Sequence, residues 1–111
     1  MGNIIKASIK GTNTAVIALS GTGYINLDTT PLTALGLWGA GLYYNSLELY
    51  NNHTAAINVR VGNDEVYIAA GDGYAWDIFN QVFFTRIIIT ELGGAAQIDI
   101  DDIKYVARRL K

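Results

Sequence analysis

The sequence of 111 residues contains no cysteine, a single histidine, a single proline and few charged residues. Without cysteine, neither a disulfide framework nor a thiolate metal site can form, so the apolar core alone must hold the fold. Charged residues make up 16% of the chain, against about 25% in an average soluble domain. We therefore expect neutral-polar or apolar patches on the surface, which indicate either contact surfaces or the Asn-, Thr- and Gly-rich outside of a β-domain.

Other absences narrow the classes of function. The formal net charge of −2 argues against nucleic acid as a partner, because neutralising phosphates requires a basic face. No apolar run reaches the ~18 residues of a membrane span, and residues 1–10 lack the hydrophobic segment of a signal peptide. We expect a protein that is made in a cytoplasm and binds no membrane. The only histidine, His53, lies in a polar turn, so we interpret it as a solvated residue rather than a catalytic base or zinc ligand.

Alternation of apolar and polar residues predicts strands along most of the chain. Residues 55–90 hold three or four such runs separated by turn residues, which we interpret as a β-meander whose last run, 83–90, lies in the middle of a sheet. Similar short runs recur about every 8–12 residues elsewhere, as expected for a sandwich or barrel. The remaining predicted strands cover residues 5–10 at a sheet edge, 14–19, 24–28, 47–50 and 97–101. The sequence therefore predicts one all-β domain over residues 1–111, an antiparallel, jelly-roll-like sandwich of about seven to nine strands.

Three segments need separate interpretations. Residues 1–4 are predicted to form a flexible arm, and residues 29–46, which contain the only proline and three glycines, a long loop. Beyond a β-bulge at Asp101–Asp102, a strand through Val106 is favoured because everything before it is β. The alternative for residues 101–111 is a helix, since apolar residues there also follow helical spacing with acids at the start and bases at the end.

Carboxylates are the only side chains whose pattern suggests chemistry. Asp99 and Asp101 share one face of the predicted strand, and several other acids lie in or near turns. Oxygen ligands of this kind bind calcium, and paired carboxylates cleave glycosides. However, no loop has the spacing of an EF-hand, and outward acids on a strand usually form a solvated face. We predict no catalytic residue, no metal site and no cofactor.

Aromatic residues suggest a contact surface instead. Trp38, Tyr43 and Tyr44 lie in the glycine-rich loop, and large amphipathic rings are enriched where proteins meet partners. The alternative is that Trp38 and the neighbouring leucines fold back as a lid on one end of the sandwich. Ile4 and Ile5 belong to an N-terminal arm, residues 2–5, that is a candidate for donation as a strand to a neighbouring chain.

The order of features between Leu47 and Ile89 follows a known pattern. A strand leads to Asn51–Asn52, then to TAAINVRV over residues 54–61, VYIAAG over residues 66–71 and an aromatic strand at Trp76–Asp77. This order resembles small β-sandwich virion proteins of tailed bacteriophages. The resemblance implies a non-enzymatic capsid decoration or cement protein, located in the virion and assembled as a homo-oligomer, with a trimer favoured. Such a protein would bind the major capsid protein or another virion protein through one end and face solvent with the other.

Carbohydrate-binding jelly rolls are the runner-up, because residues 98–103 look like the closing strand of some sugar-binding modules. On that reading the chain is a glycan-binding module or the receptor-binding part of a virion. A small glycan hydrolase is the third alternative, and it lacks a pocket-forming insertion. The rings that would stack on sugars are Trp38, Tyr43, Tyr44, Tyr74 and Trp76.

Overall fold

The computed structural model describes residues 5–13, 23–34, 43–77, 82–94 and 97–110. These residues form eight strands and one short helix. In chain order they are β1 (Ile5–Thr12), β2 (Gly23–Asn26), α1 (Thr30–Ala34), β3 (Ser46–Asn51), β4 (Ile57–Val61), β5 (Asp64–Ile68), β6 (Gly73–Trp76), β7 (Arg86–Glu91) and β8 (Ile103–Leu110). The prediction of an all-β protein with short strands is confirmed.

The strands form two antiparallel four-stranded sheets. Sheet one has the order β1-β8-β3-β6 and sheet two the order β2-β7-β4-β5. Counted from the two ends of the chain, the first strand pairs with the last, the second with the seventh, the third with the sixth and the fourth with the fifth. The chain is thus one long hairpin rolled into two layers, which is the topology of a jelly roll. The predicted sandwich and its jelly-roll arrangement are confirmed.

The two ends of the sandwich differ in the loops that they carry. At the Asp101 end, β1 and β3 finish beside the first residues of β8, as the pairs Thr12–Lys104 and Asn51–Ile103 show. At the opposite end, β4 turns into β5 through Gly62, whose φ of 57° lies in the left-handed region that glycine adopts without strain. We call these the Asp101 end and the Gly62 end.

Alternation along the strands places the core between the sheets. In β4 the apolar residues Ile57, Val59 and Val61 are fully buried while Arg60 is exposed, the period expected of a half-buried strand. The inward side chains of both sheets meet in one cluster, which includes Leu47, Leu49, Trp76, Ile87, Ile89 and Ile103. The outer faces of the sheets and the two ends of the sandwich are the surfaces available for binding.

The predicted meander over residues 55–90 is wrong. Only β4 and β5 pair as neighbours in sequence, whereas β6 pairs with β3 in the other sheet and β7 pairs with β2 and β4. The alternation of side chains shows which residues face inward, but it does not say which strand supplies the hydrogen bonds. The central position of β7 and the edge position of β1 are confirmed.

The predicted loop over residues 29–46 contains the helix α1. Its start is stabilised by Asp28, whose Oδ1 accepts the Thr30 backbone N–H at 2.9 Å, and Pro31 lies in the first turn, where its missing N–H costs nothing. Hydrogen bonding to Thr30 lowers the pKa of Asp28. The strand predicted over residues 14–19, the glycine-rich stretch 35–42 and the arm 1–4 lie outside the described residues.

The approach to β8 is a turn rather than a strand with a bulge. Asp102 donates its backbone N–H to the Asp99 carbonyl at 3.2 Å, and Asp101 has a φ of 73°. The strand predicted over residues 97–101 is therefore wrong, because the backbone reverses there. The strand that follows, β8, is confirmed and runs to Leu110, so the helical alternative is excluded.

Candidate functional site

The residues predicted to form the contact surface do not lie together. Trp38 and Ile4 are outside the described residues. Ile5 is part of β1 and pairs with Leu110 of its own chain, so it is not a free arm available for donation. Tyr43 is exposed, as predicted, with 44% of its surface accessible.

Tyr44 is fully buried, so its predicted place on the surface is wrong. It forms an antiparallel bridge with Phe84, with reciprocal backbone hydrogen bonds of 2.9 and 3.0 Å. Its ring packs against that of Phe84 at 6.3 Å between centroids, and its hydroxyl donates to the Asp28 carbonyl. Burial, followed by the charges of Asp28 and Tyr105, raises the pKa of Tyr44.

The same bridge determines what its neighbours do. Since successive residues of an extended chain point to opposite sides, the inward Tyr44 and Phe84 leave Tyr43 and Phe83 facing outward, and 51% of Phe83 is exposed. Both residues line a cavity of about 240 Å³ that also contacts Arg60 and Arg86 on the outer face of sheet two. The buried pair therefore holds two exposed rings in place at the Gly62 end.

Arginines surround these rings. The Arg86 guanidinium lies 4.9 Å from the centre of the exposed Tyr24 ring. The Arg109 guanidinium lies 5.9 Å from the Phe83 ring, and its Nη1 donates to the Tyr43 carbonyl at 3.1 Å. These distances are those of cation–π contacts. We call Tyr24, Tyr43, Arg60, Phe83, Arg86 and Arg109 the aromatic–arginine surface.

The arginines of the aromatic–arginine surface form no ion pair within the described residues, and Glu65, which lies opposite Arg60 in the β4–β5 pairing, bonds to Asn58 instead. The surface contains three of the four arginines in the sequence. Among the described residues, none of these three lies within ion-pair distance of a carboxylate, whereas the fourth, Arg108, pairs with Glu48 at 3.5 Å. Tyrosine and arginine are the side chains that most often dominate binding at protein interfaces. The composition and charge of this surface suit contact with an acidic protein surface.

A second polar cluster is buried at the Asp101 end. His53 lies between two carboxylates, with Nε2 at 3.0 Å from Glu91 Oε2 and Nδ1 at 3.4 Å from Asp102 Oδ2. The His53 side chain is 3% exposed and that of Glu91 is 0% exposed. The prediction of a solvated turn histidine is therefore wrong: its carboxylate partners come from β7 and from the turn before β8.

The loop between β3 and β4 is fastened to this cluster by Asn51. Its Nδ2 donates to the carbonyls of Ala55, Ile68 and Ala69 at 3.0–3.2 Å, and its Oδ1 accepts the His53 backbone N–H at 3.0 Å. Glu91 also accepts the Gly93 backbone N–H. Asn51, His53 and Glu91 are buried, whereas the Asp102 side chain is 28% exposed at the edge of the cluster. The cluster links three loops, and the buried histidine has no face open to a substrate. The sequence did contain a signal for this cluster. Every second residue of β7 faces the core, and Glu91 falls on the same face as the buried Ile87 and Ile89.

The other sites weighed from the sequence fare differently. Trp76 is fully buried and is not a platform for sugars, while Tyr74 is 42% exposed and packs edge-on against it at 4.7 Å. No group of three or more potential metal ligands occurs within the described ranges. Among the described residues, no helix is long and apolar enough to cross a membrane.

Comparison with known protein families, with curated proteins and with solved structures finds no match to this chain. Its function is therefore inferred from its own surfaces. The aromatic–arginine surface combines exposed rings, arginines without an ion pair in the described residues and a fixed backbone.

Proposed function

We propose that this chain is a non-enzymatic structural protein of a bacteriophage virion, a capsid decoration or cement protein, that binds the capsid through the aromatic–arginine surface. The observation that carries the proposal is that Arg60, Arg86 and Arg109 form no ion pair within the described residues and lie beside the exposed rings of Tyr43 and Phe83. The resemblance of residues 47–89 to small phage sandwich proteins is the reason for proposing a virion as the location. Host cytoplasm is then the place of synthesis and the virion the final location.

The chemistry of this surface defines its partner. Rings held by a buried bridge lose little side-chain entropy on binding, and arginines without internal ion pairs gain a partner when they meet carboxylates. We propose an acidic patch on the major capsid protein or another virion protein as that partner. The contact should form faster at low ionic strength, because unlike charges steer the encounter.

Self-association strengthens such a contact. A homotrimer would present three copies of the aromatic–arginine surface at once, and each engaged copy raises the effective concentration of the next. A contact that buries ~800 Å² on each partner would then hold firmly even when each single site is weak. The expected mass of the assembly is about three times the 12.0 kDa of one chain.

The buried histidine supports a non-enzymatic role. A general base must come within hydrogen-bond reach of a substrate proton. His53 is 3% exposed and already lies between Glu91 and Asp102. This geometry gives the histidine a stabilising task.

The location of the protein is tested on particles. Virions released from the strain that encodes the sequence are purified by density gradient and their proteins identified by mass spectrometry. We expect the chain to band with intact particles in a fixed ratio to the major capsid protein. Finding it only in the particle-free fraction would refute the proposal.

The contact surface is tested by adding purified chain back to particles stripped of it. The variants Arg86→Glu and Phe83→Ala should bind less, since one reverses a charge and the other removes an exposed ring. Tyr67→Ala is the matched control, because Tyr67 is also an exposed ring on sheet two but does not line the cavity. Equal binding by all three variants would exclude the aromatic–arginine surface as the contact.

A further inference from the structure

A groove on the outer face of sheet one lies at the opposite end of the molecule from the aromatic–arginine surface. Across three strands, Thr12 of β1 and Tyr50 of β3 both face Lys104 of β8, and Lys10 faces Val106 one step further along. With Asp101 at its end, this set lines a groove of about 460 Å³. That volume is within the range of about 300–1,000 Å³ found for small-molecule sites. We call it the tyrosine groove.

The tyrosine groove has an aromatic wall fixed by a glycine. The Tyr50 ring is 49% exposed and packs on Gly73 of the neighbouring strand β6. A Cβ atom at Gly73 would come within 2.9 Å of the ring and within 3.0 Å of the Leu49 carbonyl. Glycine is therefore needed for this position of the ring. An exposed tyrosine face with a hydroxyl at its tip suits the apolar face and hydroxyl rim of a pyranose.

Three charged groups in the groove have no ion-pair partner. In the ranges that the structure describes, Lys10, Lys104 and Asp101 form no salt bridge. Two ammonium groups give the groove a local positive excess suited to one carboxylate on a ligand. The Asp101 carboxylate accepts hydrogen bonds from hydroxyl groups, and it would repel a polyphosphate backbone. This combination favours a sugar over a nucleic acid.

The acidic end of the groove is preorganised. Asn13, which is 2% exposed, donates from Nδ2 to the Asp99 carbonyl at 2.7 Å and accepts the Ile103 N–H at 2.9 Å. Its own carbonyl accepts the Asp101 N–H at 3.1 Å. Asp101 is held at a φ of 73°, a region that non-glycine residues rarely adopt and that occurs disproportionately at binding sites.

From these features we infer that the tyrosine groove binds an acidic saccharide, a pyranose carrying a carboxylate. The sugar ring stacks on Tyr50, the carboxylate lies between Lys10 and Lys104, and ring hydroxyls donate to Asp101. This inference goes beyond the proposed capsid contact. Because the groove is at the other end of the sandwich, a chain bound to a capsid through the aromatic–arginine surface would still display it to solvent.

The test uses the purified wild-type chain, labelled with a fluorophore and applied to an array of glycans. The array pairs uronate- and sialate-bearing oligosaccharides with their neutral parents and includes a single-stranded DNA oligonucleotide. We expect retention on acidic sugars and little on the neutral parents. Titration with the best acidic oligosaccharide should show binding weakened at least about tenfold, or 1.4 kcal/mol, in Tyr50→Ala and in Lys104→Glu.

Two controls make every outcome decisive. Phe83→Ala, in the aromatic–arginine surface, should bind the sugar like the wild type, and thermal melts of all variants establish that they are folded. If Tyr50→Ala unfolds, Lys104→Glu and Lys10→Glu carry the test, since both residues are exposed. The inference is overturned by no retained glycan, by equal retention of neutral sugars, by tighter binding of the oligonucleotide, or by folded variants that bind normally. None of these results would bear on capsid binding, which depends on the other surface.

Discussion

Replacing His53 by leucine should lower the free energy of unfolding by about 3–5 kcal/mol, the usual effect of removing one partner from a buried ion pair. The reason is that the Glu91 side chain is 0% exposed and has His53 Nε2 at 3.0 Å. Leucine is similar in volume but offers no hydrogen bond, so the buried carboxylate loses its side-chain partner and keeps only the Gly93 backbone N–H. For a chain of 111 residues, this loss corresponds to a fall in melting temperature of roughly 13–21 °C.

Urea unfolding followed by tryptophan fluorescence measures the effect, because Trp76 is fully buried in the folded core. The control is Asn52→Ala, an exposed side chain next to His53, which should change stability by no more than about 0.5 kcal/mol. A loss below about 1 kcal/mol for His53→Leu would refute the reasoning, since it would mean that Glu91 is not held in a water-excluded site.

The double variant His53→Leu/Glu91→Leu separates the unpaired charge from the loss of packing. With both partners apolar, no buried charge remains, and the exposed Gly93 N–H that Glu91 accepts can bond to water. We expect the double variant to be more stable than His53→Leu alone. Additive losses would show that the two side chains act independently.

Three further predictions follow from packing and burial. Asn13→Ala should lower stability by about 2–3 kcal/mol in urea, because it removes two side-chain hydrogen bonds that hold the turn over residues 99–102; an unchanged midpoint would contradict this. Gly11→Ala places a Cβ atom in a clash with the Tyr105 hydroxyl and should cost about 1–3 kcal/mol through overpacking, a loss that is reduced in a Tyr105→Leu background if the clash is the cause. Burial raises the pKa of Tyr105 and Tyr44 above the usual 10.0 of a tyrosine. Their contribution to the free energy of unfolding is therefore complete below about pH 10 and is lost as the pH rises further. Urea midpoints between about pH 9 and pH 11 should fall less in Tyr105→Phe than in the wild type.

Local patterns in the sequence were enough to predict where most strands lie but not which strands pair with each other. The run from Ile57 to Val61 and its neighbour β5 follow period two, and both form as predicted. The pairing of β6 with β3 instead of β5 depends on contacts across the sandwich, which no local window contains. The helix α1 could have been predicted, because Asp28 followed by Pro31 is a start signal.

The candidate site shows the same division between local and distant information. Tyr43 and Tyr44 are adjacent and alike in sequence, yet the bridge to Phe84 makes one exposed and the other buried. His53 was misread because its surroundings in sequence are polar, while its partners Glu91 and Asp102 come from much later in the chain. Burial of a single polar residue depends on those distant partners, so its neighbours in sequence do not reveal it.

The rolled pairing of first strand with last has a consequence for synthesis on the ribosome. Within the described part of the chain, β1 has a single neighbour in its sheet, β8, and Ile5 is matched with Leu110. β1 must therefore wait until β8 has emerged before it gains its hydrogen bonds. Folding that depends on such distant pairings is slow, on the order of milliseconds to seconds. Until then, the charge of the exposed Lys10 on this strand opposes edge-to-edge pairing between nascent chains.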